Sequence, residues 1–238
     1  MARAAAVELA PGVVRIPTVG SANVNSFAIV ADDGSVTLVD CGLRRAPARI
    51  VAGLRAVGRH PGDVRRIVLT HAHTDHAGGA AEMAARTGAV VAVHEADAAA
   101  VEAGRHPRYD ASLRAGRLLQ RLPGGAFPPV AVDERLTGDE VLDGGLRVVA
   151  TPGHTPGSIC LLHEPTATLI VGDTLFHHRR LRLCPRPLCT DFRLNERTAH
   201  VLGELEYDRV AFTHGTEITT GAREAVRGFL ADAARTGG

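Results

Sequence analysis

The stretch THAHTDHAGG places three histidines and one aspartate within six positions, directly after the apolar stretch RRIVLT. RRIVLT predicts a buried β-strand. Alternate side chains point the same way in extended backbone, so His71 and His73 can reach one metal ion. Asp75 and His76 fall where a helix is predicted to begin, and the partial positive charge of a helix N-terminus favours an aspartate there. The pattern indicates a strand end that presents metal ligands, with the second pair able to turn toward a second ion.

Four further metal-capable side chains follow predicted apolar strands: Asp40, His154, Asp173 and His214. Strand ends meet at one edge of a sheet, where loops can build a site on a rigid scaffold. A single histidine after a strand is more often structural, but five such placements, counting His71, indicate one shared site. Imidazole and carboxylate ligands suit zinc, and they also accept iron or manganese.

The remaining pattern predicts short strands alternating with helices along the chain. NSFAIVA and SVTLVDCG read as strands joined by a DDG turn, and APARIVAGLRAVGR has the apolar spacing of a helix. EADAAAVEAG predicts another helix, and LRVVATP, SICLLHE and ATLIVGD predict three later strands. No linker divides the sequence, so we expect residues 1–238 to form one α/β (α+β) domain with mixed strands flanked by helices.

Composition excludes several functions. The formal net charge is +1 and only 3% of residues are aromatic, which argues against binding to nucleic acid or to an anionic membrane. The 27 lysine and arginine residues are all arginine. Without lysine the chain cannot form a lysine Schiff base or build the lysine of a phosphate-binding P-loop. We therefore expect a small-molecule substrate, and the oligomeric state stays open.

The cysteines do not indicate a disulfide framework. A chain of 238 residues contains only Cys41, Cys160, Cys184 and Cys189, and the last two are too widely spaced for a CxxC metal motif. The first residues, MARAAAVELAPG, lack the apolar run of a signal peptide, and no stretch is apolar enough to span a bilayer. These features predict reduced thiols and a cytoplasmic protein without a membrane anchor.

Four motifs occur in order along the chain: HxHxDH, TPGHTPGS, GDTLF and THG. Together with Asp40 they span residues 40–214, and as a set they resemble the motifs of the metallo-beta-lactamase fold superfamily. The resemblance implies a four-layer αββα sandwich that holds two divalent metal ions. It implies that one ion is held by His71, His73 and His154, the other by Asp75, His76 and His214, and both by a bridging Asp173. Asp40 would then orient ligands without binding metal.

Departures from individual subfamilies narrow the activity that the resemblance implies. Two-metal β-lactamases often carry cysteine or serine where this chain has Asp173, so hydrolysis of antibiotics is disfavoured. Acyl-homoserine lactonases carry a tyrosine at the position of Phe176. The GDTLF motif more closely resembles the hydroxyacylglutathione hydrolases, although here one predicted helix follows His214 in place of their basic C-terminal extension. The substrate therefore stays open.

The motifs predict a metal-dependent hydrolase of an ester, a thioester or a lactone. Two ions, of which zinc is the first expectation, would supply a bridging hydroxide at neutral pH, and Asp75 would orient it as well as bind metal. One alternative is a mononuclear iron oxygenase similar to the persulfide dioxygenases, with His71, His154 and Asp173 as ligands. A second alternative is a metal-binding protein that retains the fold without catalysis.

The arginine-rich stretch HHRRLRLCPRPLC, residues 177–189, begins four residues after Asp173. Its prolines restrict the backbone, and together with the arginines they predict a long loop over residues 177–194. The forked guanidinium groups of Arg179 and Arg180 suit a carboxylate or phosphate, so we expect them to bind an anionic part of the substrate. The alternative is that these side chains only solvate the loop.

Overall fold

Two β-sheets pack face to face at the centre of the computed structural model, which describes residues 5–121 and 125–236. The first sheet has seven strands, whose order in space follows their order in the chain. Its strands are β1 (Val7–Ala10), β2 (Val13–Val19), β3 (Val24–Val30), β4 (Val36–Val39), β5 (Val64–Leu69), β6 (Val90–His94) and β7 (Glu134–Leu136). Strands β1 to β4 pair in antiparallel fashion, and β4 to β7 run parallel.

The second sheet has five strands from the later part of the chain. They are β8 (Val141–Leu142), β9 (Leu146–Ala150), β10 (Ile159–His163), β11 (Thr168–Ile170) and β14 (Arg209–Ala211). A separate hairpin consists of β12 (Leu175–His177) and β13 (Leu181–Leu183). Strand β14 pairs in parallel with β11, so the segments that follow these two strands leave the sheet side by side.

Helices cover the outer face of each sheet. The helices of the described residues are α1 (Pro47–Ala56), α2 (Thr74–Ala77), α3 (Ala80–Thr87), α4 (Glu95–Glu102), α5 (Arg114–Leu119), α6 (Phe192–Ala199) and α7 (Ala222–Thr236). Side chains of α1, α3 and α4 pack on the first sheet, and those of α7 pack on the second. The result is a four-layer αββα sandwich, which confirms the predicted fold. None of the helices in the described ranges is both long and apolar enough to cross a membrane.

Strand β5 shows how the sequence produces two hydrophobic cores. Val68 lies in the core between the sheets with Phe27 and Ile159, whereas Ile67 and Leu69 lie in the core under the helices. Successive side chains of a strand point to opposite faces, and the second half of β5, which is covered on both faces, is therefore apolar. The strand ends two residues before His71, which places the first histidine on a rigid, buried support.

The prediction of a long loop over residues 177–194 is wrong. This segment contains the end of β12, all of β13, a 3-10 helix at Arg186–Leu188 and the start of α6. Side chains of the hairpin pack against a small buried cluster of Cys184, Cys189 and Phe192. The prolines come after β13 and lie in and before the 3-10 helix, so they follow the strand and do not prevent it.

Candidate metal centre

Metal-capable side chains collect at the edge where strands of both sheets end. Asp40 follows β4 directly, and His71 comes two residues after β5. His154, Asp173 and His214 come three or four residues after β9, β11 and β14. Strands that run in the same direction end at the same edge of a sheet, so the residues that come after them lie close together. Distant parts of the chain therefore meet in one site.

The first group consists of His71, His73 and His154. Nε2 of His71 lies 3.1 Å from Nδ1 of His73 and 3.0 Å from Nε2 of His154. All three side chains are buried. Imidazole nitrogens that face one another this closely cannot all carry protons, so they leave lone pairs in one small volume. Such a set of nitrogens suits a divalent ion.

The second group consists of Asp75, His76 and His214. Helix α2 carries the first two in its opening turn, as the sequence predicted. Nε2 of His214 lies 3.3 Å from Oδ2 of Asp75. One candidate ligand atom from each residue lies within 4.8 Å of the others. His76 is fully buried and Asp75 is partly exposed, so this group combines an accessible carboxylate with two imidazoles.

Asp173 lies between the two groups. Its Oδ1 is 3.1 Å from Nε2 of His76 and 3.2 Å from Nε2 of His214. Its Oδ2 is 3.3 Å from Nε2 of His154. One carboxylate oxygen therefore faces each group, which is the placement that a ligand shared by two ions requires.

Two atoms of this cluster lack the hydrogen bonds that buried polar groups normally make. Nε2 of His76 and Oδ1 of Asp173 are buried and have no hydrogen-bond partner among the described residues. They lie 3.1 Å apart, yet they are not aligned for a hydrogen bond with each other. Unpartnered buried polar groups are rare in folded proteins, and a cation bound beside both atoms would satisfy them. The residues present therefore fit a divalent metal site.

The electrostatics of the cluster favour the same use. Burial lowers the pKa of His71 well below its usual range, so the ring is neutral at pH 7 and keeps a lone pair for metal. Burial opposes the charge on Asp75, but His76 and the contact with His214 outweigh it and lower the pKa of Asp75 to about 2. Burial also opposes the charge on His214, but Asp173 raises the pKa of His214 to about 10. The surrounding carboxylates thus stabilise positive charge.

Asp40 contacts His76 on the side away from Asp173, which is where a ligand-orienting residue is expected. Its Oδ2 lies 2.7 Å from Nδ1 of His76 and accepts a hydrogen bond of 2.8 Å from Oγ1 of Thr70. Its Oδ1 accepts a hydrogen bond of 2.8 Å from the backbone N–H of Thr70. These contacts hold the His76 ring with Nε2 toward Asp173.

Asp97, on α4, ties together the loops that carry the first group of histidines. Its Oδ2 accepts hydrogen bonds from the Ala72 N–H (2.9 Å) and from Oγ1 of Thr155 (2.7 Å). Its Oδ1 accepts one from the Gly157 N–H (2.8 Å). Sequence reasoning missed this fully buried residue. The local sequence shows only one carboxylate among alanines in a predicted helix. A carboxylate that is buried at such a position needs hydrogen-bond donors, but the local sequence does not say that it is buried.

Asn25, in β3, holds the loop that carries His214. Its Nδ2 donates to the carbonyl oxygens of Phe212 and Gly215, each at 2.9 Å. Nδ1 of His214 itself lies 2.8 Å from the carbonyl oxygen of Asn23. The sequence gives no signal for Asn25, because one amide in a predicted strand does not show which loop it contacts.

A cavity of about 510 Å³ opens onto the two groups. The rings of His106 and Tyr109 stack at 4.6 Å in its wall, and they lie 5.7 Å and 5.8 Å from the ring of His73. Phe176 lies 4.5 Å from the ring of His214. The apolar lining also includes Val19, Val24, Leu43, Leu119 and Leu188. His106 and Tyr109 come from an irregular part of the sequence that offered no signal for them.

Arg179 and Arg180 do not join this site. Both are exposed in the turn between β12 and β13, and neither lines the cavity at the histidines. Arg180 instead lines a second cavity of about 840 Å³ between the hairpin and α7. Because guanidinium groups act on a substrate through direct contact, the expected role of these two arginines is not supported by their placement.

The layered fold and its cluster of histidines and carboxylates define a class of metal-binding enzymes. The family model described as the Metallo-beta-lactamase superfamily matches residues 19–227, and the chain belongs to this superfamily. Members of the superfamily are generally hydrolytic enzymes, and the fold implies binding of divalent metal.

Two relatives and one solved structure illustrate the match. The hydroxyacylglutathione hydrolase of Acidiphilium cryptum is 35% identical over 164 residues, which are 69% of this chain and 53% of that protein. The probable metallo-hydrolase YybB of Bacillus subtilis is 26% identical over 193 residues, 79% of this chain and 80% of that protein. BJP-1, a subclass B3 metallo-beta-lactamase of Bradyrhizobium japonicum, has a TM-score of 0.76 at 20% identity, covering 99% of this chain and 92% of that one. The structural match shows the shared fold alone, and the chain spans about half the length of the A. cryptum hydrolase.

Proposed function

We propose that this chain is a hydrolase that cleaves an ester, a thioester or a lactone with two divalent ions, of which zinc is the first expectation. One observation carries the proposal: Asp173 lies within 3.3 Å of histidines from both groups, so two sets of ligands share one carboxylate. A single ion would leave one set unused. Membership of a generally hydrolytic superfamily supports the reaction class.

Each ion has a defined set of protein ligands in this proposal. The first would be held by His71, His73 and His154, the second by Asp75, His76 and His214, and both by Asp173. Bound there, the ions would polarise a substrate carbonyl and lower the pKa of bound water to about 7.

The chain's own side chains supply orientation and shape. The Asp75 side chain is 29% exposed and lines the cavity, so its carboxylate can accept a hydrogen bond from the attacking water. Phe176 and the leucines of the wall give the cavity an apolar side, which suits the apolar part of an acyl group. Attack by water requires no serine or cysteine nucleophile.

Two observations support a small acyl substrate. A cavity of about 510 Å³ is within the range of small-molecule sites. The relative from A. cryptum is named as a hydrolase of hydroxyacylglutathione, which is an acyl compound. Because that protein is nearly twice as long as the matched region, we propose the acyl class and not that particular substrate.

We expect ester and thioester hydrolysis that depends on divalent metal. The chain loaded with zinc or manganese should hydrolyse members of a panel of aryl esters, thioesters and lactones at least about a hundredfold faster than the chelator-treated chain. The measurement is the initial rate with each substrate, and a chromogenic β-lactam serves as the substrate expected to react slowly.

Re-addition of zinc after chelation controls for damage by the chelator and should restore the rate. A panel in which no metal-loaded form hydrolyses any ester, thioester or lactone would contradict the proposed function. Rapid turnover of the β-lactam alone would contradict the proposed substrate class.

A further inference from the structure

His154 has a sulfur atom on the side of its ring that faces away from the ligand cluster. Its Nε2 lies 3.0 Å from His71 and 3.3 Å from Asp173, whereas its Nδ1 lies 3.0 Å from Sγ of Cys184. The second nitrogen of a metal-binding histidine usually bonds to a carboxylate, a carbonyl or water, and this partner tunes metal affinity. Here a thiol occupies that position, and thiols can be oxidised.

A second thiol lies beside the first. Cys184 and Cys189 are separated by a 3-10 helix, and both sulfurs contact the carbonyl oxygen of Pro185, at 3.8 Å and 3.7 Å. Ligand atoms of His154, Cys184 and Cys189 all lie within 4.8 Å of one another. Both cysteines are free thiols. The two sulfurs lie within 4.8 Å of one another, so an approach of at most about 2.8 Å would bring them to the length of an S–S bond, about 2.05 Å.

Cys184 also borders the second cavity. This cavity of about 840 Å³ lies between the hairpin and α7 and is lined by Cys184, Arg182 and Phe192, among others. Its lining includes none of the histidines of the two ligand groups. A small solute in this cavity therefore lies beside the buried Cys184 side chain without having passed through the ligand cluster.

We propose that Cys184 and Cys189 form an oxidation site whose disulfide weakens metal binding through His154. The thiolate of one of the two cysteines attacks the hydroperoxide and the O–O bond breaks. The products are a sulfenic acid on that cysteine and an alcohol, or water where the oxidant is hydrogen peroxide, which takes up the thiol proton. The sulfur of the other cysteine then displaces the sulfenic oxygen as water and forms the disulfide. The two thiols lose two electrons, and the hydroperoxide gains them.

A His154 ring that binds metal through Nε2 carries its proton on Nδ1, so Nδ1–H donates to the Cys184 sulfur. The disulfide moves this sulfur toward Cys189, so the buried Nδ1–H loses its acceptor. This second consequence rests on the proposed function, because it requires that His154 binds metal. The formation of the disulfide does not.

The test uses the full zinc-loaded chain and hydrogen peroxide. We expect intact mass to fall by two hydrogens and peptide mapping to place one disulfide between Cys184 and Cys189. Cys41 and Cys160 lie in separate hydrophobic cores and serve as internal controls that stay thiols. Competition with a chromophoric chelator should show a zinc Kd raised about 10- to 100-fold, and a dithiol reductant should reverse it.

Cys189→Ser provides the matched variant. It keeps Cys184 beside His154 and removes the second thiol. Before oxidation it should therefore bind zinc like the unmodified chain, and with peroxide it should form no disulfide.

Thiols that stay unpaired in the unmodified chain, or oxygen addition without a disulfide, would overturn the oxidation site. A disulfide that leaves the zinc Kd unchanged would overturn the link through His154. A reduced chain that binds no zinc would instead refute the proposed function, and the mass measurement would still decide whether the disulfide forms.

Discussion

Asp173→Asn is expected to lower kcat at least about a hundredfold, the scale of a disrupted metal site. Asparagine keeps the shape of the side chain, but it removes the negative charge and replaces one ligand oxygen by an amide nitrogen that cannot bind a cation. The two oxygens of Asp173 face His154 on one side and His76 and His214 on the other, so the change acts on both groups. Steady-state kinetics on a substrate identified from the ester and thioester panel gives the measurement.

Asp139→Asn is the matched control, because Asp139 is an exposed aspartate outside the cavity. It should leave kcat unchanged. The circular dichroism spectrum of each variant shows whether the fold is intact. Turnover by Asp173→Asn close to that of the unmodified chain would refute the bridging role of Asp173.

Removal of the bound ions is expected to lower the unfolding temperature by about 8 to 16 °C for each site. An ion that binds only the folded chain stabilises it by about 4 kcal/mol when the concentration of free ion is a thousandfold above its Kd. In a chain of this size, about 1 kcal/mol shifts the unfolding temperature by 2 to 4 °C. The structural basis is that Nε2 of His76 and Oδ1 of Asp173 are buried, and the described part of the chain offers neither atom a hydrogen-bond partner. Calorimetry before and after dialysis against a chelator measures the shift.

Adding zinc back should restore the original unfolding temperature. Asp173→Asn should show a smaller shift between its two forms, because one shared ligand is lost from both sites. Equal unfolding temperatures with and without zinc, at saturating zinc, would mean that the folded chain has no preferential metal site.

The part of the site that could be predicted rests on short-range geometry. His71 and His73 are two positions apart just after an apolar strand, and their nitrogens lie 3.1 Å apart, although the backbone bends at residues 70–72 and does not continue the strand. Asp75 and His76 occupy the opening turn of α2 for an equally local reason. Two statements stay predictions: which ion each side chain holds, and that residues 1–238 form one domain.

The contacts that position the ligands could not be predicted in the same way. Asn25 bonds to Phe212, 187 positions later, and Asp97 bonds to Thr155, 58 positions later. These pairs meet only because the sheets pack together and α4 lies against the strand ends. A polar residue in an apolar strand or helix indicates that a partner is needed, but it does not identify the partner.

The error at the arginine-rich hairpin has a similar cause. Its arginines and prolines suggested an irregular loop close to Asp173, but the leucines between the arginines build β13 and turn the segment toward α7. Arg180 therefore lines a different cavity, although it is only seven positions from Asp173. Closeness in sequence did not predict closeness in space, because a strand carries the chain away from its starting point.

Elemental analysis of the zinc-saturated chain, after free metal is removed by gel filtration, tests the dinuclear site most directly. We expect about two zinc ions per chain, because two complete groups of ligands share Asp173. Protein purified without added metal should contain zinc or manganese in preference to a single iron. One ion per chain, which stays one after soaking with zinc or manganese, would contradict the dinuclear site, and a single iron would favour the mononuclear oxygenase instead.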